Sequence, residues 1–149
     1  MSHKRYNSIA VDAMGGDNAP NKVLKGCEIF LDQIQNINLI IFGKKSTIES
    51  RIKKNYFNQI EIIDCDEIIM DDDKPLSILR TKKDSSMRKA LEYIKSNLNI
   101  GFVSSGNTGA LMALSKIILG TLENIDRPAI CSLVPTTSGS AVMLDLGAN

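Results

Sequence analysis

The 149-residue chain carries 18 Lys and Arg against 17 Asp and Glu, a formal charge of +1, so it lacks the cation excess that neutralises phosphates in nucleic-acid binding, and DNA or RNA is not an expected partner. Aromatic residues make up 5% and Trp is absent, which removes the stacking surface that single-stranded bases need. A hydrophobic content of 43% suits one α/β domain, and at this length roughly 70% of the unfolded chain's surface can be buried.

Residues 1–7 are polar and include Lys4 and Arg5, but no long apolar run follows, so neither an export signal nor a membrane span is expected. Short β-rich runs then alternate with stretches of helical period, the pattern of βα units on a mostly parallel sheet. Residues 8–12 read as a first strand. After a Gly-rich turn, Pro20 opens a helix whose inner stripe is Val23, Leu24, Cys27, Phe30 and Leu31. Residues 38–42 read as a second strand ending at Gly43. Ser46 and Glu49 have the spacing of a capping box for a helix running to about Asn55. Residues 60–65 are a third strand, followed by a carboxylate-rich loop closed by Pro75, with a short extended piece over 67–70. The run Asp71, Asp72, Asp73 is expected to be solvated and not to hold a metal.

Residues 76–83 predict a short helix. Ser85 or Ser86 caps a longer one to about Leu98, with Met87, Leu91 and Ile94 facing inward. Residues 100–104 read as a buried strand that turns at Ser105, Gly106 and Asn107 into a helix over 108–122, apolar almost all round and so expected at the centre. Residues 129–134 and 141–146 predict a hairpin joined by the Thr-, Ser- and Gly-containing segment 135–140. Cys27, Cys65 and Cys131 lie in apolar stretches and are expected to be buried thiols, with no disulfide and no zinc. No repeat or linker divides the chain, and its last residues, a strand entering a Gly-containing turn, read as an interruption within a fold.

Three segments could carry chemistry. The first is the turn from Asp12 to Pro20 with Gly15, Gly16 and Asp17, at the carboxyl edge of the first strand, where open α/β sheets bind ligands; the alternative is a tight turn with Asp17 or Asn18 capping the next helix. The second runs through Ser104, Ser105, Gly106, Asn107, Thr108 and Gly109. A helix start there offers unpaired N–H groups and a positive dipole end to an anion, the alternative being ordinary capping by Asn107 or Thr108. The third runs from Arg80 through Lys82, Lys83 and Ser86 to Arg88, with Arg88 poorly placed for the helix dipole and so read as answering an anion, or else part of a solvated basic face. No Walker lysine or G-x-G-x-x-G spacing supports nucleotide binding. The single histidine, His3, sits in the tail, so triad catalysis has no base and the chemistry is expected to depend on positioning and electrostatics.

Taken in order, Asp12-Ala-Met-Gly-Gly-Asp17 with Pro20, Ser85-Ser-Met87, Ser105-Gly-Asn-Thr-Gly-Ala-Leu-Met112, Ile125-Asp-Arg-Pro-Ala129 and Leu144-Asp-Leu-Gly-Ala-Asn149 resemble the PlsX phosphate acyltransferases over almost the whole chain, as an N-terminal half. The resemblance implies a cytoplasmic enzyme, peripheral to the inner membrane, that moves an acyl group from acyl carrier protein to inorganic phosphate without a cofactor. It also implies an α/β/α fold like that of isocitrate and isopropylmalate dehydrogenases, a homodimer, and a membrane glycerol 3-phosphate acyltransferase as downstream partner. Asn107, Thr108 and Asp12 would then act at the reacting atoms. Gly15, Gly16, Asp17, Lys82, Ser86, Arg88, Ser104, Ser105, Gly106, Gly109 and Asn149 would bind phosphate or the acyl carrier. A non-catalytic remnant or half of a split enzyme, an unrelated phosphate- or nucleotide-binding module, and a dehydrogenase-like enzyme sharing the fold stay open as alternatives.

Overall fold

The computed structural model describes residues 7–97 and 99–146; His3, Leu98 and Asn149, on which expectations above fall, lie outside the described residues. Four β-branched-rich runs form one parallel sheet: β1 (Ser8–Asp12), β2 (Asn38–Gly43), β3 (Ile60–Asp64) and β4 (Ile100–Val103), in the order β3-β2-β1-β4. Ser8 aligns with Asn38 on one side and with Ile100 on the other, so β1 is central.

The first two connections step away from β1 in one direction and the third returns to its other side. Right-handed crossovers running in opposite directions place their helices on opposite faces. Accordingly α1 (Asn21–Gln33) and α2 (Lys45–Arg51) cover one face, where Val11, Leu39 and Ile41 pack with Leu24, Cys27, Leu31 and Ile48. The other face takes α4 (Ser86–Ser96) and α5 (Thr108–Ile118), with α3 (Pro75–Thr81) beside α5. Ala10, Ile40 and Phe42 there meet Ala90, and Met87, Leu91 and Leu114 form an adjoining cluster. The result is an α/β sheet with helices on both sides, its cores made by alternate residues of the same strands.

The structure corrects several expectations. Ser46 does not cap α2: the helix begins at Lys45, whose N–H donates to Asp64 Oδ1 at 2.7 Å, so a carboxylate at the end of β3 takes the capping role across the sheet. The helix ends at Arg51, and a 3-10 turn (Lys54–Tyr56) follows. β4 is an outer strand of the sheet, only half-buried, with Val103 56% exposed. α5 stops at Ile118 and buries one stripe, Ala110, Leu114 and Ile118, while Ile117 and Leu122 are exposed, so it is not central. The hairpin is present as β5 (Cys131–Thr136) and β6 (Gly139–Leu144), paired in a separate antiparallel sheet with a tighter turn at Thr137 and Ser138. Cys131 is exposed on it, against the expectation of a buried thiol.

Candidate anion site at the reversal of strand order

The crevice between β1 and β4 is the point where strand order reverses, the place where the turns leaving two neighbouring strands diverge and a ligand can enter. Here the turn after β1 and the turn after β4 do not diverge far. Ser105 Oγ donates to the carbonyl of Gly15 at 3.0 Å. A Cβ on Gly15 would sit 2.9 Å from the Gly106 backbone and 2.5 Å from Asp12 Oδ2, so no side chain fits there. Gly16 has φ +91, and a Cβ on it would strike the carbonyl oxygen of Ser105. The two turns therefore touch through backbone, which only glycine permits.

Asp12, 1% exposed, ties them together. Its Oδ1 accepts from Ser86 Oγ at 2.6 Å and from Met14 N–H at 3.1 Å, and its Oδ2 accepts from Ser104 Oγ at 2.8 Å. Ser104 Oγ in turn accepts from Gly106 N–H at 3.1 Å. The start of α4 reaches the same place through Met87, whose methyl carbon would lie 3.2 Å from a Cβ on Gly106. Three motifs read separately along the chain thus meet at one locus.

At the start of α5, Asn107 is the cap: its Oδ1 accepts from Ala110 N–H at 2.9 Å, and the Leu111 N–H donates to its carbonyl. Its Nδ2 donates to the carbonyl of Asp71 at 2.9 Å, with Met70 and Asp73 carbonyls at 3.3 and 3.5 Å. The ordinary capping alternative is therefore what Asn107 does, and both ends of its amide are occupied. Helix geometry leaves the Thr108 and Gly109 N–H groups without an intrahelical partner, and Thr108 is exposed. These are the donors an anion can reach. The turn after β1 does not use Asp17 or Asn18 as a cap; α1 starts behind Pro20 with no side-chain cap, and Asp17 is exposed.

The structure corrects the basic segment. Arg88 Nε pairs with Glu92 at 2.9 Å and its Nη1 donates to the Leu79 carbonyl at 3.0 Å, closing the end of α3. Lys82 pairs with Asp73 at 3.8 Å. Both cations are paired with local acidic groups, Lys82 through Asp73, whose carbonyl lies 3.5 Å from Asn107 Nδ2 at the start of α5. Lys89 pairs with Asp84 and donates to the Asp64 carbonyl at 2.9 Å. The Lys89 ammonium holds the Asp84 carboxyl below its ordinary value, helped by the Asp66 N–H, and Asp84 holds Lys89 above its own. Burial pushes the Cys27 thiol up to about 11 and the Cys65 thiol up to about 12, so both stay protonated at neutral pH and neither serves as a nucleophile.

Beside the crevice, on the α1 face, runs a trough of about 520 Å³. Ile9, Val11, Val23, Phe30 and Val103 give it apolar walls, and Asp17, Lys22 and Ser105 stand at its polar rim. Lys22, in the first turn of α1, has no ion-pair partner among the described residues; sequence reasoning passed over it because it precedes the apolar stripe that begins at Val23. Among the described residues no cluster of His, Cys, Asp and Glu could hold a metal, and no helix is long and apolar enough to cross a membrane.

A family model described as fatty acid synthesis protein matches residues 7–149. The chain belongs to that family. It is 48% identical over 148 residues to the phosphate acyltransferase of Wolbachia pipientis subsp. Culex pipiens, 47% over 148 residues to that of Ehrlichia chaffeensis, and 45% over 145 residues to that of Caldicellulosiruptor saccharolyticus. Each match covers 95% of this chain but only 43 to 44% of the relative, so the chain spans less than half the length of the relatives it matches. The resemblance carried by the five motifs is thereby borne out.

Proposed function

We propose that this chain supplies the phosphate-holding part of an acyl transfer from acyl carrier protein to inorganic phosphate. The observation that carries the reading is the meeting of two glycine-lined turns at the sheet's carboxyl edge, next to the start of α5, where helix geometry leaves the Thr108 and Gly109 N–H groups without an intrahelical partner. A tetrahedral oxyanion suits such a cradle. The relatives' names point to the same chemistry.

Phosphate is itself the nucleophile. One of its oxygens attacks the thioester carbon, a tetrahedral oxyanion forms, and the carrier's thiolate leaves, taking up a proton at or after departure to give acyl phosphate and free carrier thiol. No covalent acyl-enzyme and no histidine base are needed. Holding phosphate beside the thioester removes the entropic cost of encounter, and one donor aimed at the oxyanion is worth ~10² to 10³ in rate. The apolar trough, whose volume is in the usual range of ~300 to 1,000 Å³ for ligand sites, suits an acyl chain with its carbonyl at the Ser105 rim. The wider expectations travel with this reading: the dehydrogenase-like version of the α/β/α fold, a homodimer, a position at the inner face of the membrane, and a glycerol 3-phosphate acyltransferase that uses the product.

The test follows phosphate-dependent loss of acyl-carrier thioester by mass spectrometry, using this chain alone and with the unmatched remainder of the Caldicellulosiruptor saccharolyticus relative supplied. Turnover that needs both pieces and saturates with phosphate is expected. Thioester loss independent of phosphate, or no loss in either arm while nucleotide binds, would sink the proposal.

A further inference from the structure

Asp12 was expected at the reacting atoms, yet it is 1% exposed and both its oxygens are occupied by donors from three separate segments. Three donors take three of the roughly four accepting positions of the carboxylate, burial keeps a ligand from the remaining one, and its partners are two hydroxyls and an amide instead of a cation. We infer that Asp12 is a positioning residue, which orients the donors of the anion site through the hydroxyl of Ser104. This rests on the phosphate reading above.

The chain of contacts gives the mechanism. A serine hydroxyl has one proton and two lone pairs. Because Ser104 gives its proton to Asp12 Oδ2 at 2.8 Å, a lone pair turns toward Gly106 N–H, which it receives at 3.1 Å. That bond fixes the plane of the peptide entering Gly106, two residues before the Thr108 N–H. Gly106 has little room to compensate on its Cβ side, where Gly15 Cα and the Met87 methyl would lie 3.1 and 3.2 Å from an added carbon. The Asp12 carboxylate therefore sets the tilt of the backbone that leads into α5. An amide at position 12 has the same shape but only one accepting end, so it can no longer take protons from Ser86 and Ser104 together; one hydroxyl must swing.

The experiment compares Asp12→Asn and Ser104→Ala with Leu31→Ala, a control that opens the core on the α1 face at a residue 3% exposed near the C-terminal end of that helix. Inorganic phosphate is titrated into the full 149-residue chain and followed by amide chemical shifts of Gly106, Thr108 and Gly109. Hydrogen exchange of the Gly106 amide is measured without phosphate. All three variants are expected to melt at lower temperature. Only Asp12→Asn and Ser104→Ala should weaken phosphate binding ten-fold or more and speed Gly106 exchange at least ten-fold, and the double variant should be no weaker than the single ones. Parallel loss of stability with affinity and exchange unchanged would make Asp12 merely structural and overturn the inference. If wild-type chain binds no phosphate, the functional reading fails by itself, and the apo exchange of Gly106 still decides whether Asp12 orients it. Should Asp12→Asn not fold, Ser104→Ala carries the same comparison.

Discussion

The carboxyl edge of the sheet and the β5/β6 hairpin are both small-residue turns next to strands, yet they are stabilised in opposite ways. At the edge, a buried carboxylate, three serines and three glycines lock segments that lie 74 to 92 positions apart in the chain. In the hairpin every contact given by the register is between neighbours, and the apolar residues of one face, Leu133 opposite Val142 and Cys131 opposite Leu144, are exposed. One region is held by long-range packing that side chains cannot be removed from without loss. The other is held by its own ladder, and its apolar face has no cover among the described residues.

Substitutions can break or sharpen this contrast. The largest effect is expected from Phe42→Ala, which empties a fully buried site where the ring meets Tyr93 edge-on at 5.7 Å; it should cost ~3 to 5 kcal/mol in urea unfolding. Leu133→Ala in the hairpin should change stability by less than ~0.5 kcal/mol, and a comparable loss at both positions would show that the hairpin face is buried in solution. Next comes Gly15→Ala, where the new methyl meets Asp12 and the Gly106 backbone: ~1 to 3 kcal/mol is expected from overpacking, while Gly101→Ala, with nothing within 4 Å of its Cβ, should be neutral or slightly stabilising.

A smaller, pH-dependent effect belongs to Glu28. Burial alone would raise its carboxyl, but the Lys53 N–H at 3.1 Å and the ammonium groups of Lys53 and Lys25 outweigh it, so the value in the folded protein is lowered. A lowered folded value stabilises above the ordinary carboxylate range and is lost as pH falls through it. Glu28→Gln should therefore lower the melting temperature at pH 7, and the gap to wild type should close below about pH 4. Least perturbing is thiol labelling with a disulfide reagent. Cys131 should react at once, and Cys27 and Cys65 only as fast as the protein opens.

Much of the fold was legible because it is local. The strands at 8–12 and 38–42 and the helix behind Pro20 follow from periodicity and breakers, and the structure places them within a residue of the expected bounds; α4 does begin after Ser85, but neither serine caps it, since Ser85 Oγ donates to the Lys82 carbonyl and Ser86 Oγ to Asp12. What escaped was set by distant groups. Asp64, 19 positions away, starts α2 before Ser46 can cap it, and the carbonyls of the acidic loop occupy the Asn107 amide that local reasoning offered to a ligand. Arg88 was misread because its partner Glu92 lies one turn on, a spacing visible in the sequence and weighed too lightly against its position near the helix start. The glycines, serines and Asp12 were each singled out, but that Gly15 rests on Gly106 is a fact of topology and not of either motif.

The return of the third crossover also fixes when the crevice can exist. The turn after β1 and its partner after β4 are joined by bonds such as Ser105 to Gly15, 90 positions apart, so no early local structure can preform them. Closing a loop of that length is entropically expensive and slow. A ribosome must deliver the chain as far as Ser104 before Asp12 has its full set of partners. Ligand affinity should accordingly emerge in one late step, together with the burial of Asp12.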